Sequence, residues 1–468
     1  MNDLKNKNVL VIGLGVSGRS ACALLLRRGA RVFAVDSNDS PELVQLVKPL
    51  KAGGARITLG KMEAPDVDLA LAVLSPGVPK NCALVRQLAE EKQVPVIGEL
   101  ELGFRQSVCL HIAITGTNGK TTTTEMIESV LTQSGRQTVA AGNIGLPICD
   151  VVEQSKDLDF LTIEASSFQL ESIHHFRPSV GVLTNLTPDH LDRYESMSEY
   201  IRAKARMFMN QQAFDWAIVQ SEAYAQMRSL GILVNSKVIT FSANNRRADL
   251  FLERGLIISQ LPDWSGPLLS MDQCCVSGPH NAENLMAALA VSRVLRLPLK
   301  PVIAALKNYE PAPHRCEPIA EICGVRYIND SKATNLDATA QAIRSVGPMS
   351  TLEPNIWLIA GGKDKGFEYH DVGPLLSQRV KGAFLLGETR EKIRAAWSLF
   401  TPCTLVNSLA DAVARAADSA RPGDVVLLSP ACASFDMFRD YQHRGDEFRR
   451  SVLMLQVLPA EKQTIVKN

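Results

Sequence analysis

The sequence predicts an α/β protein of three domains, and two observations carry that expectation. A short apolar β-type run, glycine-rich punctuation and a helix-like pattern follow one another three times, at residues 9–18, 111–124 and 357–366. The chain is 468 residues long, which at roughly 100 to 200 residues per domain makes about three domains. Hydrophobic residues at 46% and charged residues at 21% supply apolar side chain for several cores. Fifty Lys and Arg against 49 Asp and Glu give a net charge of +1, so bulk electrostatics draw the chain neither to nucleic acid nor to an anionic membrane. No run approaches the roughly 20 apolar residues of a membrane span. The apolar run 9–12 is cut by Gly13 and Gly15, too short for a signal-peptide core, so the expected location is the cytoplasm. The ten cysteines form no C-x-x-C pair, and reduced, mostly buried thiols are expected.

In chain order, 9–12 reads as a strand buried on both faces, 20–28 as a helix and 31–35 as a second strand, a βαβ unit. Strand-like runs at 69–74 and 94–97 close a Rossmann-like first domain, 1–98. The central domain, 99–312, has strands at 111–115, 160–164 and 180–184 and a helix at 281–295, and is expected to be a parallel-sheet domain of P-loop ATPase type. Pro311-Ala312-Pro313 breaks the helical pattern and marks the next boundary. The third domain, 313–468, alternates strands at 356–360, 383–386 and 425–428 with helical patterns such as 409–421, and a second Rossmann-like parallel sheet is expected.

Within the central domain, the apolar run ending at Thr115 feeds Gly116-Thr117-Asn118-Gly119-Lys120-Thr121-Thr122, a tight loop at a helix start. Glycines let backbone N–H groups turn onto phosphate oxygens, and the helix N-terminus adds partial positive charge. Lys120 can neutralise the β- and γ-phosphates of ATP, and Thr121 can ligate magnesium. The commonest form of this loop has a further glycine where this chain has Ile114, so it is a variant. Glu164, at the end of the strand-like run 160–164, is where a neighbouring strand would deliver an acidic metal ligand. Asp189-His190 follows the next strand, again where α/β ligand sites form.

Gly13-Leu14-Gly15-Val16-Ser17-Gly18 fits G-x-G-x-x-G between strand and helix, with Asp36 ending the second strand. The pattern suits NAD, or another nucleotide's diphosphate and ribose, or glycines that serve packing alone; it gives fold more securely than ligand.

Taken together the motifs resemble the Mur ligase family, ATP-dependent amide ligases of peptidoglycan precursor synthesis. The resemblance runs nearly end to end, through the phosphate loop, Gly142-Asn143-Ile144-Gly145, the stretch 164–171 and the stretch 187–194. It continues through Gly278-Pro279-His280-Asn281, His314-Arg315, the stretch 329–335 and the stretch 428–434. The compact first domain and the C-terminal run 434–445 are most similar to the D-glutamate-adding branch.

The resemblance implies three small-molecule substrates: ATP, UDP-N-acetylmuramoyl-L-alanine and D-glutamate. It assigns Val16, Ser17, Asp36, Ser37, Ser75 and Gly77 to the UDP part of the substrate, with Asn143 and His190 near its muramoyl-alanine end. ATP falls to residues 116–122, to Asn281 and Asn284 near adenine, to Arg315 at the phosphates and to Asp330 at the ribose. Thr334, Lys365, Ser434, Phe435 and Tyr441 map to the D-glutamate positions, with the register of Lys363 against Lys365 open. Lys332 joins Lys120, Glu164, His190, Lys204 and Arg315 as a catalytic position. Two magnesium ions are implied, with Thr121, Glu164, His190 and Lys204 as ligands. Lys204 falls at the family's carbamylated lysine, where a helix-surface lysine is the plainer reading. A monomer without nucleic-acid partners is expected. A non-catalytic nucleotide sensor is the rival of another class, and the completeness of the metal set argues against it.

Overall fold

The computed structural model describes residues 4–190, 193–346 and 353–457; Leu191 and Asp192, within the stretch 187–194, lie outside the described residues. The expected fold class holds: three sheets, each dominated by parallel strands, carry helices between their strands. By internal contacts the chain forms two compact units. One comprises residues up to Leu186 with Ser198–Cys275 and Asn281–Tyr309; the other comprises Thr187–Met197, Val276–His280 and the chain from Glu310 onward.

The first unit holds two of the sheets. Five parallel strands run in the order Arg56–Leu59, Arg31–Asp36, Asn8–Ile12, Leu71–Leu74, Val96–Gly98. Alternate residues of the strand Asn8–Ile12 enter opposite cores, Val9 and Val11 on one side, Leu10 and Ile12 on the other. This is why its sequence is uninterrupted aliphatic. The helix Val16–Arg27 begins inside the glycine fingerprint, four residues before the expected start at 20, because the turn needs only Gly13 to Gly15.

The nine-stranded sheet runs Gly266–Ser270, Leu256–Ser259, Leu250–Glu253, Lys237–Ser242, Trp216–Gln220, Val180–Leu183, Leu110–Thr115, Phe160–Glu164, Thr138–Gly142. The strand Leu110–Thr115 is therefore flanked by a parallel strand on each side. Its two outermost pairings at the Gly266–Ser270 edge are antiparallel, an extension the apolar runs do not announce.

The second unit holds six strands in the order Glu317–Ile322, Val325–Asn329, Val425–Leu428, Ile356–Gly361, Val380–Leu386, Cys403–Leu405. Again one strand serves two cores: Leu358 and Ala360 face one, Ile359 the other. The edge hairpin of Glu317–Ile322 with Val325–Asn329 is antiparallel, where a wholly parallel sheet was expected. The thiols also differ from expectation. All ten cysteines are free, but only Cys22, Cys149 and Cys432 are buried and Cys275 and Cys323 are exposed, because most lie in loops and at strand edges. Among the described residues no helix is long and apolar enough to cross a membrane.

Candidate active site

Strand register builds the phosphate loop's surroundings. Ile114 pairs with Glu164 on one side and Thr115 with Leu183 on the other. The register brings both strands to the same C-terminal end of the sheet, so the loop leaving Thr115 and the Glu164 carboxylate emerge side by side. The helix Lys120–Gln133 starts from Gly119 at φ +79°, where a Cβ would stand 2.3 Å from Asn284 Oδ1, so only glycine fits. Asn284 accepts from Thr123 Oγ1 at 3.1 Å and donates to Asn281 Oδ1 at 3.2 Å, which puts both expected adenine residues beside the loop's helix. Asn118 is fixed by its neighbours: its N–H donates to Asn185 Oδ1, and its carbonyl accepts from Asn185 Nδ2 and Thr184 Oγ1.

Charge is concentrated in this loop. Lys120 Nζ donates to the Gly116 carbonyl at 2.9 Å and the Thr117 carbonyl at 2.7 Å. Glu164 is 1% exposed and both its oxygens are engaged, Oε2 by Thr121 Oγ1 and Oε1 by Asn143 Nδ2, each at 2.7 Å. Ser166 and Gln169 form a reciprocal capping box on the helix Ser167–Leu170, which fixes how the chain leaves Glu164. Lys204 is not the helix-surface lysine of the plainer reading. On the helix Met197–Ala205 it is 2% exposed, donates to the Gly116 carbonyl at 2.7 Å and lies 4.6 Å from the Tyr200 ring centre. Tyr200 in turn reaches Thr117 Oγ1 at 3.2 Å.

In the first sheet the fingerprint closes on Asp36, whose carboxylate accepts from Leu14 N at 2.5 Å and Asn38 N at 2.8 Å. A Cβ on Gly18 would stand 1.8 Å from the Gly13 carbonyl, so the last glycine is what allows the helix to start this close to the strand. Val16 is exposed and Ser17 half-buried; Ser37 and Gly77 are exposed and Ser75 is buried. All of them follow C-terminal strand ends of that sheet.

The remaining expected residues belong to the second unit. Asp189 accepts from Lys365 Nζ at 3.4 Å, Asn335 Nδ2 at 3.2 Å and His190 N at 2.9 Å. His190 has φ +55°, and its Nε2 is 3.7 Å from Asp189 Oδ2. Lys363 is exposed, whereas Lys365 makes that ion pair. Lys332 Nζ lies 4.0 Å from the centre of the Tyr441 ring. Ser434 is buried, Phe435 is exposed, and Thr334 is half-buried on the loop after Lys332. Arg315 sits between His314 and Cys316, both in the left-handed region. Asp330, expected at a ribose, is 7% exposed: it accepts from Cys316 N at 3.2 Å and Ser429 Oγ at 2.9 Å, and burial pushes its carboxyl up to about 7. Of the four expected metal ligands, Thr121, Glu164 and Lys204 lie in the first unit and His190 in the second. Asn185, Asn335 and Arg444 lie in or beside stretches the sequence singles out, but it assigns them no role; the structure supplies one, since each fixes a loop distant in sequence.

The description "Mur ligase MurD-like, N-terminal domain" matches residues 7–98, "Mur ligase middle domain" residues 114–292, and "Mur ligase, glutamate ligase domain" residues 314–432. The chain is 38% identical to the UDP-N-acetylmuramoylalanine--D-glutamate ligase of Geobacter metallireducens over 96% of this chain and 98% of that one. To the protein of the same name from Pelotomaculum thermopropionicum it is 39% identical, over 97% and 99%. Among solved structures, the MurF ligase of Thermotoga maritima in complex with ADP superposes with a TM-score of 0.60 at 16% identity, covering 97% of this chain and 96% of that one. The UDP-N-acetylmuramate-alanine ligase MurC of the same organism gives 0.59 at 19%, covering 97% and 100%; at these identities the likeness shows the fold. The end-to-end identity to curated relatives, joined to three matched domains in family order, shows that the chain belongs to the Mur ligase family.

Proposed function

We propose that the chain is an ATP-dependent amide ligase that joins D-glutamate to UDP-N-acetylmuramoyl-L-alanine in peptidoglycan precursor synthesis. The observation that carries this reading is the phosphate loop with its buried acid: Lys120 folded over the loop, and Thr121 and Asn143 both hydrogen-bonded to Glu164. The first 98 residues are proposed to hold the UDP moiety, residues 99–312 ATP, and residues 313–468 the incoming amino acid. Such a substrate set belongs to the cytoplasm, and a monomer suffices for it.

A carboxylate is a poor electrophile in water and must be activated. An oxygen of the alanyl carboxylate attacks the γ-phosphorus; the new O–P bond forms as the bond to the β–γ bridging oxygen breaks, and ADP leaves with the electron pair. Lys120 and Arg315 offset the charge spread over the phosphoryl oxygens. The free amine of D-glutamate then attacks the acyl carbon, and the tetrahedral oxyanion, stabilised by Lys332, collapses. The C–O bond to phosphate breaks, phosphate departs with the pair, and the amide nitrogen loses its proton to solvent. Thr334, Lys365, Ser434, Phe435 and Tyr441 are proposed to hold D-glutamate, Asn281 and Asn284 the adenine, and Asp330 the ribose. Val16, Ser17, Asp36, Ser37, Ser75, Gly77, Asn143 and His190 are proposed to hold the UDP substrate.

The residues fit magnesium. Among the described residues no three His, Cys, Asp or Glu side chains cluster as a metal cage, and magnesium does not need one: it binds through one or two carboxylates with substrate phosphates. Thr121 and Glu164 supply hard oxygen donors, and a carbamylated Lys204 would add another; His190 is proposed as a further metal ligand. Magnesium, when bound, supplies positive charge to the β- and γ-phosphate oxygens. Lys204 as a carbamate is tested by extra electron density on Nζ in crystals grown with bicarbonate; a bare ammonium there counts against it.

The test of the activity is phosphate release from ATP and magnesium with UDP-N-acetylmuramoyl-L-alanine, comparing D-glutamate, L-glutamate, L-alanine and no amino acid. Release with D-glutamate alone, accompanied by the amide, is expected. Release with another acceptor keeps a ligase and changes its substrate, and no release in any mixture favours a nucleotide sensor.

A further inference from the structure

The three loops that carry the residues proposed to hold D-glutamate meet at one buried side chain to which the motifs assign nothing. Arg444 lies in the first turn of the helix Tyr441–Val457 and is 2% exposed. Its Nε donates to Ser331 Oγ at 3.0 Å and its Nη2 to the Ser331 carbonyl at 2.8 Å, while Nη1 donates to the Cys432 carbonyl at 3.1 Å. Ser331 precedes Lys332 and Thr334; Cys432 precedes Ser434 and Phe435.

We propose that Arg444 is the positioning residue of the amino-acid half of the site, setting the distance between the 331–334 and 432–435 loops and so the affinity for the incoming D-glutamate. This rests on the ligase reading above.

The chemistry of the side chain supports the assignment. A guanidinium carries five N–H donors in a rigid planar fork, so three oxygens on two loops can be held at fixed separation by one group. An ammonium has its donors on a single atom at the end of a flexible stem and cannot reproduce that spread. Burial lowers the Arg444 pKa only to about 10, so the group stays charged at neutral pH and its hydrogen bonds remain charge-assisted.

The helix is itself tied to both loops it braces. Ser331 Oγ donates to the Tyr441 carbonyl at 2.7 Å, and the Tyr441 ring carries Lys332 Nζ 4.0 Å from its centre. The third loop, which bears Lys365, is brought in through glycine. Gly362 has φ +147°, and a Cβ there would stand 2.2 Å from the Ala433 carbonyl and 3.3 Å from Arg444 Nη1. Lys363 N then donates to the Ala433 carbonyl at 2.9 Å. Gly445 permits the close approach on the other side, since a Cβ there would stand 2.2 Å from His314 Nδ1.

The experiment is steady-state kinetics of the full-length Arg444→Lys protein, measured as D-glutamate-dependent phosphate release. The expected result is a KM for D-glutamate raised roughly tenfold or more, since angstrom-scale misplacement of a binding group costs on that order. The KM for UDP-N-acetylmuramoyl-L-alanine should stay within about twofold, because the residues proposed for its UDP part follow strand ends of the first sheet, whereas Ser331 lies next to Asp330 at the proposed ATP ribose and the KM for ATP is no control. A merely structural role would lower kcat with the fraction of folded protein and leave all three KM values alone, and that result overturns the inference. Should Arg444→Lys fail to fold, Ser331→Ala decides by the same measurement: it deletes one of the three acceptors, and an unchanged KM for D-glutamate would again overturn it. Absence of D-glutamate-dependent release in the unmutated enzyme sinks the ligase reading and this inference with it; normal release with unchanged KM in the variants sinks the inference alone.

Discussion

Glu164 has two carboxylate oxygens, and Thr121 and Asn143 occupy one each. Replacing it by Gln removes the negative charge and gives one of those partners an N–H where it had an acceptor. The amide can keep its oxygen toward Asn143 Nδ2 and turn its NH2 toward the Thr121 hydroxyl, which accepts, so the loss is one of charge and of a metal-ligating oxygen and not of packing. Glu164→Gln is expected to lower kcat by about 10²- to 10³-fold, the scale of losing one preorganised electrostatic group, and to raise the magnesium concentration needed for half-maximal rate. A magnesium titration of phosphate release measures both; an unchanged magnesium requirement would remove Glu164 from the metal site. At this scale the sequence was informative where the signal is local. The phosphate loop and Glu164 sit on strand ends whose apolar runs are contiguous in the chain. Lys204 shows the limit: nothing along the helix Met197–Ala205 distinguishes a surface lysine from one buried against Gly116, because the burying group is 88 positions away.

The helix Glu99–Gln106, which leads from the first sheet to the second, carries two buried glutamates in opposite electrostatic states. Burial alone would raise the carboxyl of Glu101. The backbone N–H groups of His174, His175 and Phe176, together with Arg105, outweigh burial and hold it below the ordinary value. Glu99 has one strong donor, Cys149 N at 2.7 Å, and its other oxygen is buried without a hydrogen-bond partner, so burial prevails and lifts its carboxyl to about 7. A folded-state pKa above the unfolded one means that the folded protein binds the extra proton. The stabilising contribution is then complete below about pH 4.5 and is lost as pH rises through about 7, with a swing on the order of a few kcal/mol. Glu99→Gln cannot titrate, so its Tm relative to the unmutated protein should climb by several degrees between pH 5 and pH 8. A Tm difference constant across that range would show that Glu99 is not held protonated. The sequence marks no helix here, only the boundary at residue 98. Nor does it show which acid of the helix finds donors, since those donors come from residues 149 and 174–176.

Across the molecule, the fully buried parallel strands were legible, whereas the more exposed parallel strands Arg56–Leu59, Thr138–Gly142, Trp216–Gln220 and Lys237–Ser242 and the antiparallel additions were not. The strands Asn8–Ile12, Phe160–Glu164 and Val425–Leu428 are almost wholly buried, so their sequences are nearly continuous apolar runs. The edge strand Glu317–Ile322 has no buried residue and reads as mixed polar chain, and the hairpin of Leu250–Glu253 with Leu256–Ser259 lies beyond the parallel part of its sheet. The same contrast separates fold from mechanism. The buried architecture leaves a pattern, whereas the account of catalysis turns on a carboxylate made electrophilic by phosphoryl transfer. That claim has a direct isotopic test. UDP-N-acetylmuramoyl-L-alanine carrying ¹⁸O in its alanyl carboxylate is turned over with ATP, magnesium and D-glutamate, and the released phosphate is examined by mass spectrometry. Transfer of one carboxylate oxygen to phosphorus, retained when the C–O bond breaks, predicts one ¹⁸O atom in each phosphate formed from fully labelled substrate. Amide formed with unlabelled phosphate would contradict the acyl-phosphate route.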